Sequence, residues 1–284
     1  MTDRHECART RLRGSFAWCL LVSLLAWQVC EGNDAETEVD MKTERVVLTV
    51  VYDNRSDDER LKPAWGFACV VTGLEQTILF DTGADSETLL SNMSALGIDA
   101  AEIDVVVLSH SHWDHTGGLE GFLGVRGAVP VYCLECFAED VRGIAEKSGA
   151  EVRVVEGPTA ICDGARSTGE MVGRGSIPEQ SLLLSGDGGS TLVTGCAHPG
   201  VVEIARRARD SSGGVLLVLG GFHLARDAEA SVRQVVSDLR GMGVSRAAPC
   251  HCTGDAAIAI FEELYGDGFV DCRVGTRVDL GPRP

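Results

Sequence analysis

Apolar residues along the chain come in short runs, and the spacing within the runs switches between two periods. Residues 45–52 (RVVLTVVY) are apolar almost throughout and predict a strand. Residues 66–72 (GFACVVT) and 77–80 (TILF) predict a hairpin turning at Gly73 to Gln76. Residues 86–96 have helical composition and stop at Gly97. Residues 104–109 (DVVVLS) form a continuous apolar run, which predicts a strand buried on both faces.

The second half repeats this grammar without repeating the sequence. Strands are expected at 129–133 and 151–155, flanking a helix at 135–147. Residues 182–185 and 191–194 predict another hairpin, turning at Gly186 to Ser190. A helix at 201–209, a buried strand at 215–219 and an amphipathic helix at 226–240 follow. A short strand at 247–249 and a helix at 256–264 complete the pattern. Residues 157–180, rich in Gly and Ser, read as a loop bordering a pocket. Strands followed by a helix, twice over, predict an α/β protein of two face-packed sheets with helices outside. Sites in such folds gather on loops where strands end.

Composition changes this picture in two places. Of 284 residues, 44% are hydrophobic and 24% charged, which suits a globular domain, and the net charge is −17. An acidic surface repels phosphate backbones, so nucleic acid is excluded as a bulk partner. A small-molecule substrate, even an anionic one, is not excluded, because a local metal outweighs a distant field.

The N-terminal segment reads separately. Arg4, Arg9, Arg11 and Arg13 precede an apolar stretch at 16–29, and Glu31, Asp34, Glu36 and Glu38 follow. Residues 1–32 therefore read as a signal peptide for export, or as an uncleaved membrane anchor. A start codon placed upstream of the real domain leaves a cytoplasmic protein. Residues 33–44 read as a flexible linker, and 45–284 as the functional domain. The membrane is expected as a partner only through the first segment, and oligomeric state is not legible.

Candidate chemistry sits in the histidines. Six of the seven fall in four short motifs, each directly after an apolar run. The first is SHSHWDHTGG, residues 109–118. His110 and His112, two apart in an extended loop, can turn toward one metal. Asp114 and His115 can supply a second cluster nearby. Imidazole and carboxylate suit zinc, manganese or iron. Gly117 and Gly118 are expected to allow a tight backbone turn. Upstream, Asp81 in FDTG can accept a ligand histidine's free N–H. TGCAHPG, GGFHL and PCHCTG then contribute His198, His223 and His251, with Cys196, Cys250 and Cys252 beside them as thiols near a metal or as buried thiols. A lone histidine is more often structural; together with the first motif these become credible ligands. The Cys133 and Cys136 pair stands alone, without a second pair at zinc-finger spacing, and reads as packing or plain thiols.

These motifs resemble the metallo-β-lactamase superfamily. More narrowly, the stretch ending SHSHWDHTGGL, with TGCAHPGVV, GGFHL and PCHCTG, is similar to the subfamily named for 7,8-dihydropterin-6-yl-methyl-4-(β-D-ribofuranosyl)aminobenzene-5'-phosphate synthase, a methanopterin-pathway enzyme. The resemblance implies a four-layer αβ/βα sandwich with one or two metals at the edge between the sheets. It implies that His110, His112, Asp114, His115 and His251 are ligands, and that His198 and His223 ligate or contact substrate. Two departures stand out. No histidine lies between His115 and His198, so the usual third-motif ligand is either missing or supplied by His198. Cys196 replaces the usual bridging Asp, and is expected behind the ligands together with Asp81.

The function expected is metal-assisted hydrolysis of an ester, phosphoester or lactone, with one or two divalent ions, zinc foremost. Asp114 is the expected base or water-orienting group, and His223 the expected proton donor. Two other readings remain: iron at the same ligands running oxidoreductase chemistry, and a non-catalytic metal-binding module. The synthase name implies a condensation of an aminobenzoate with a phosphoribosyl donor.

Overall fold

The computed structural model describes residues 45–173, 177–186 and 188–283, so the expected signal peptide or anchor and the linker lie outside the described residues. No helix among the described residues is long and apolar enough to cross a membrane.

The first half builds one sheet. Its strands are β1 (Arg45–Tyr52), β2 (Ala68–Thr72), β3 (Ile78–Phe80), β4 (Val105–Val107), β5 (Val131–Leu134) and β6 (Val152–Val155). Strands β1 to β3 run antiparallel, and β3 to β6 run parallel. The parallel strands β3, β4 and β5 are buried at every position, as their unbroken apolar runs require. Helices α1 (Ser86–Ala95), α2 (Trp113–Thr116), α3 (Leu119–Arg126) and α4 (Ala138–Ala145) belong to the connections. Asp85 caps α1, its carboxylate accepting from the Thr88 N–H at 2.8 Å.

The second half builds the other sheet from β7 (Thr159–Cys162), β8 (Ala165–Ser167), β11 (Leu182–Gly186), β12 (Gly189–Thr194), β13 (Val215–Gly221) and β14 (Arg246–Cys250). Strands β9 (Met171–Val172) and β10 (Pro178–Glu179) form a separate small pair. Strands β12, β13 and β14 are parallel, so their carboxyl ends share one edge. Helices α5 (Val201–Ser212), α6 (Glu229–Gly241) and α7 (Asp255–Tyr265) supply the second half's outer helices. The final strand β15 (Arg277–Pro282) returns to pair with β1 in the first sheet.

Period-two alternation decides which residues face which layer. Leu182, Leu184, Leu217 and Leu219 join the core shared with the first sheet, whereas Leu183 and Val218 pack in the cluster formed with α5, α6 and α7. The αβ/βα sandwich expected from sequence is the observed architecture.

Several local expectations need correction. Residues 157–180 are not one loop: they carry β7, β8, β9 and β10. These strands are short and mix exposed with buried positions, so no apolar run marks them. The helix expected from 226 starts at Glu229, because the Asp227 N–H first closes a turn onto the Leu224 carbonyl. The helix expected at 135–147 is a 3-10 turn at Glu135–Phe137 followed by α4. Gly117 and Gly118 adopt ordinary helical dihedrals, with φ of −65° and −80°. Their need for glycine is close approach instead: a Cβ on either would lie 2.1 Å from the carbonyl oxygen of Ala84 or Thr82.

Candidate metal centre

Every histidine motif leaves a strand at the same edge of the sandwich. His110 follows β4, His198 follows β12, His223 follows β13 and His251 follows β14. Among the described residues, four that are not glycine have positive φ: Asp81 (56°), Ala197 (57°), His223 (53°) and His251 (50°). The last three lie in these motif loops, and Asp81 lies in the FDTG turn. Such backbone is disfavoured for L-residues and persists where surrounding contacts over-determine it.

Among the described residues two donor groups contain no thiol, and Cys196 takes part in three others, one of them with His198 and His223. His110, His112 and His198 bring one ligand atom each within 4.8 Å of one another, and so do Asp114, His115 and His251. In the first group His110 Nε2 stands 3.1 Å from His112 Nδ1. In the second His115 Nε2 stands 3.2 Å from His251 Nε2, and Asp114 Oδ2 lies 3.4 Å from His251 Nε2.

The back sides of the rings assign their tautomers. The Ser109 hydroxyl donates to Asp81 Oδ2 at 2.7 Å, so His110 Nδ1–H donates to Ser109 Oγ at 2.9 Å. His115 Nδ1–H donates to Asp81 Oδ2 at 2.7 Å. His198 Nδ1–H donates to Glu179 Oε2 at 2.9 Å, and His251 Nδ1 pairs with Asn54 Oδ1 at 3.2 Å. Each assignment leaves Nε2 as a bare lone pair aimed inward. The His115 and His251 lone pairs face one another at 3.2 Å and repel unless a cation lies between them. Atoms about 2.0–2.3 Å from a tetrahedral ion lie about 3.3–3.7 Å apart, close to the spacing found here. The residues present therefore fit a divalent metal.

Burial sets the charge states. It drives His110 and His115 down to about 3, so both imidazoles are neutral. His112 is lowered for the same reason. Burial pushes the Asp81 carboxyl up to about 7, opposed by the neighbouring His110 ring and the Ser109 donors. Burial also acts on Asp114, but the adjacent His251 and His115 imidazoles hold its carboxyl below the usual range. The Cys252 thiol is brought well below its ordinary value: hydrogen bonds from Cys196 and His223 overcome burial. The Cys196 thiol, hydrogen-bonded to Cys252 and buried beside it, is raised.

Sequence reasoning missed Glu179. This carboxylate, 1% exposed on β10, accepts from the backbone N–H groups of Gly195, Cys196, Ala197 and His198 at 2.8–3.1 Å. It holds the whole TGCAH turn and the His198 ring together. Asp53 and Asn54 do similar work at His251: Asp53 Oδ1 accepts the His251 N–H at 2.9 Å, and Asn54 Nδ2 donates to its carbonyl at 2.9 Å. The only signals in the sequence were an acidic residue in a Gly/Ser-rich stretch and an Asp-Asn pair after β1.

The expected residues come together, with one correction. Cys196 stands among the donors, its Sγ 3.3 Å from His115 Nε2, where it was expected behind them. Asp81 lies on the Nδ1 side of the His115 ring, 2.7 Å away. His223 is exposed, its ring centroid 4.7 Å from that of His198. The Cys133 and Cys136 thiols are free and belong to none of the donor groups among the described residues.

Two clefts open on the cluster. The nearer, about 280 Å³, is flanked by Trp65 and Trp113, which are 52% and 63% exposed. The second, about 1090 Å³, shares His112, His198 and His223 with it and runs between α5 and α6. No Lys or Arg occurs among the described residues lining either cleft.

Two imidazole-rich donor groups at the shared edge of two packed sheets define a metal-site sandwich protein. The family model for the metallo-beta-lactamase superfamily matches residues 66–251, and the chain belongs to that superfamily. A Methanocaldococcus jannaschii protein named 7,8-dihydropterin-6-methyl-4-(beta-D-ribofuranosyl)-aminobenzene-5'-phosphate synthase is 27% identical over 247 residues, covering 72% of this chain and 84% of its own. An uncharacterized protein of the same organism is 25% identical over 244 residues, covering 76% and 93%. Among solved structures, Tm1679, described as a metal-dependent hydrolase of the beta-lactamase superfamily, aligns with a TM-score of 0.72 and 25% identity, covering 83% of this chain and 99% of its own.

Proposed function

We propose that the protein is a metal-dependent hydrolase acting on an ester, phosphoester or lactone of a small molecule, with zinc as the preferred ion and manganese or iron accepted by the same donors. The observation that carries this reading is the pair of donor groups, His110/His112/His198 and Asp114/His115/His251, opening onto a cleft. A divalent ion held there supplies Lewis acidity and makes water acidic enough to act near neutral pH.

The chain's own residues do the rest. Asp81, Glu179 and Asn54 hold the rings with Nε2 forward. Asp114, 6% exposed and lining the cleft, orients the attacking water and accepts its proton. His223, exposed at the cleft mouth, delivers a proton to the leaving group. Trp65 and Trp113 offer flat apolar surface to the substrate and narrow the path for bulk water.

A transfer reaction of the kind named for the methanogen relative is the second reading, supported by the 27% identity. The lack of a described cation in either cleft weighs against a phosphate held away from the metals.

The test is elemental analysis of the purified chain followed by assays on aryl ester, phosphodiester and lactone panels. About one or two zinc ions per chain and turnover of one panel, lost in His112→Ala, are expected for such a site. Metal-loaded protein inert on all three panels, or a His112→Ala protein that keeps turnover with metal bound, overturns the hydrolase.

A further inference from the structure

Of the eight cysteines among the described residues, two fall in the donor groups. Cys196, His251 and Cys252 bring their ligand atoms within 4.8 Å of one another, and Cys196 also groups with His110 and His115. Both thiols line the nearer cleft, and they are 3% and 6% exposed. They come from different strands, Cys196 after β12 and Cys252 after β14, and they form no disulfide.

The backbone makes room for them. A Cβ on Gly221, at the end of β13, would stand 2.6 Å from Cys252 Sγ and 3.2 Å from the His251 ring. No other residue leaves that space open. Sγ of Cys196 is 3.3 Å from His115 Nε2, and that nitrogen is 3.2 Å from His251 Nε2. These spacings are close to those between ligand atoms around a tetrahedral ion.

We propose that Cys196 and Cys252 are both metal ligands: Cys196 lies between the two positions, and Cys252 adds a second sulfur on the Asp114/His115/His251 side alone. The inference rests on the metal-centre reading above and goes beyond it. The two positions then differ in kind. Thiolate is a soft ligand that favours zinc, cadmium and cobalt, whereas hard ions such as manganese and magnesium prefer oxygen. The position with two sulfurs holds zinc against excess manganese or magnesium, and the imidazole-rich position exchanges more freely. Cys133, Cys136 and Cys162 reach no histidine cluster and take no part.

The experiment is cobalt substitution of the full chain, read by absorption. Cobalt bound to thiolate gives an intense near-ultraviolet charge-transfer band that imidazole and carboxylate ligands do not. The band is expected in the wild-type chain, weakened in Cys196→Ser and in Cys252→Ser, and absent in the double variant. Cadmium NMR of the unaltered chain checks the same point without a substitution, since each sulfur ligand moves the resonance downfield. Cobalt uptake with visible bands but no charge-transfer band overturns the sulfur face and leaves the metal centre standing. A band unaffected by Cys252→Ser removes Cys252 from the set and overturns the two-sulfur proposal. A chain that takes up neither ion overturns both readings.

Discussion

Glu179 Oε2 accepts the Nδ1–H of His198 at 2.9 Å, and the same carboxylate accepts four consecutive backbone N–H groups of the turn that carries that histidine. One buried side chain thus fixes both the path of the loop and the tautomer of its ring.

Glu179→Gln tests that relationship. An amide can serve only part of the turn, and its NH₂ group meets donors. Groups that orient a metal-bound histidine are each worth about 10–100-fold in metal affinity. Competition against a chelator of known affinity is expected to show a loss of that size at one of the two positions. An unchanged titration removes Glu179 from the site's support.

Metal removal is the second test. The proposed ligands come from both sheets, so an ion holds the layers together. At a hundredfold excess over Kd, bound ligand contributes about 2.7 kcal/mol, or about 5–10 °C in the thermal midpoint for a domain of this size. Chelation is expected to lower the midpoint by that amount, and zinc to restore it. Identical melting curves with and without chelator contradict a bound ion.

Trp113 provides a test confined to substrate. Its ring is 63% exposed at the cleft, so Trp113→Ala leaves the fold unchanged. Losing an aromatic contact of about 0.5–1.5 kcal/mol raises KM roughly two- to tenfold with kcat little altered. A fall in kcat at constant KM shows that Trp113 instead serves the reacting centre.

Cys133 gives the fold a pH signature away from the site. Burial pushes its thiol up to about 12 from an ordinary value of 9.0. The folded state therefore keeps a proton that the unfolded state loses between those values. Stability from this group is complete below pH 9 and falls as pH rises toward 12, by up to about 1.4 kcal/mol per pH unit. Denaturant melts across that range should steepen for wild type relative to Cys133→Ala. Alkylation near pH 8 should mark the exposed Cys136 and spare Cys133.

What was legible in the sequence follows a physical division. Buried parallel strands such as β4 and β13 declare themselves because both faces must be apolar. SHSHWDH declares itself because its donors are local: two-residue spacing in an extended loop suffices to bring them together. Glu179 could not be read, because its partners lie 16 to 19 residues further on and its two-residue strand has no periodicity. Strand β15 was missed because only Val278 of its six residues is buried. Helix α3 was hidden by Gly121 and Gly124, which lower helix propensity while Leu119, Phe122 and Leu123 still pack inward. Cys196 was misplaced by one layer, because sequence fixes which loop a thiol rides on but not how deeply the loop inserts.

The seam between the sheets also orders events in time. Before synthesis reaches β14, the chain already holds His110, His112, Asp114, His115 and His198, but the Asp114/His115 pair faces an empty edge. His251 arrives 136 residues after His115, so this position closes one of the longest loops in the protein. On the proposed ligand set, a nascent or misdocked chain can hold an ion only loosely, and tight capture reports that the two halves have met in register. The ion then acts as a proofreader of assembly, since only a finished fold can keep it.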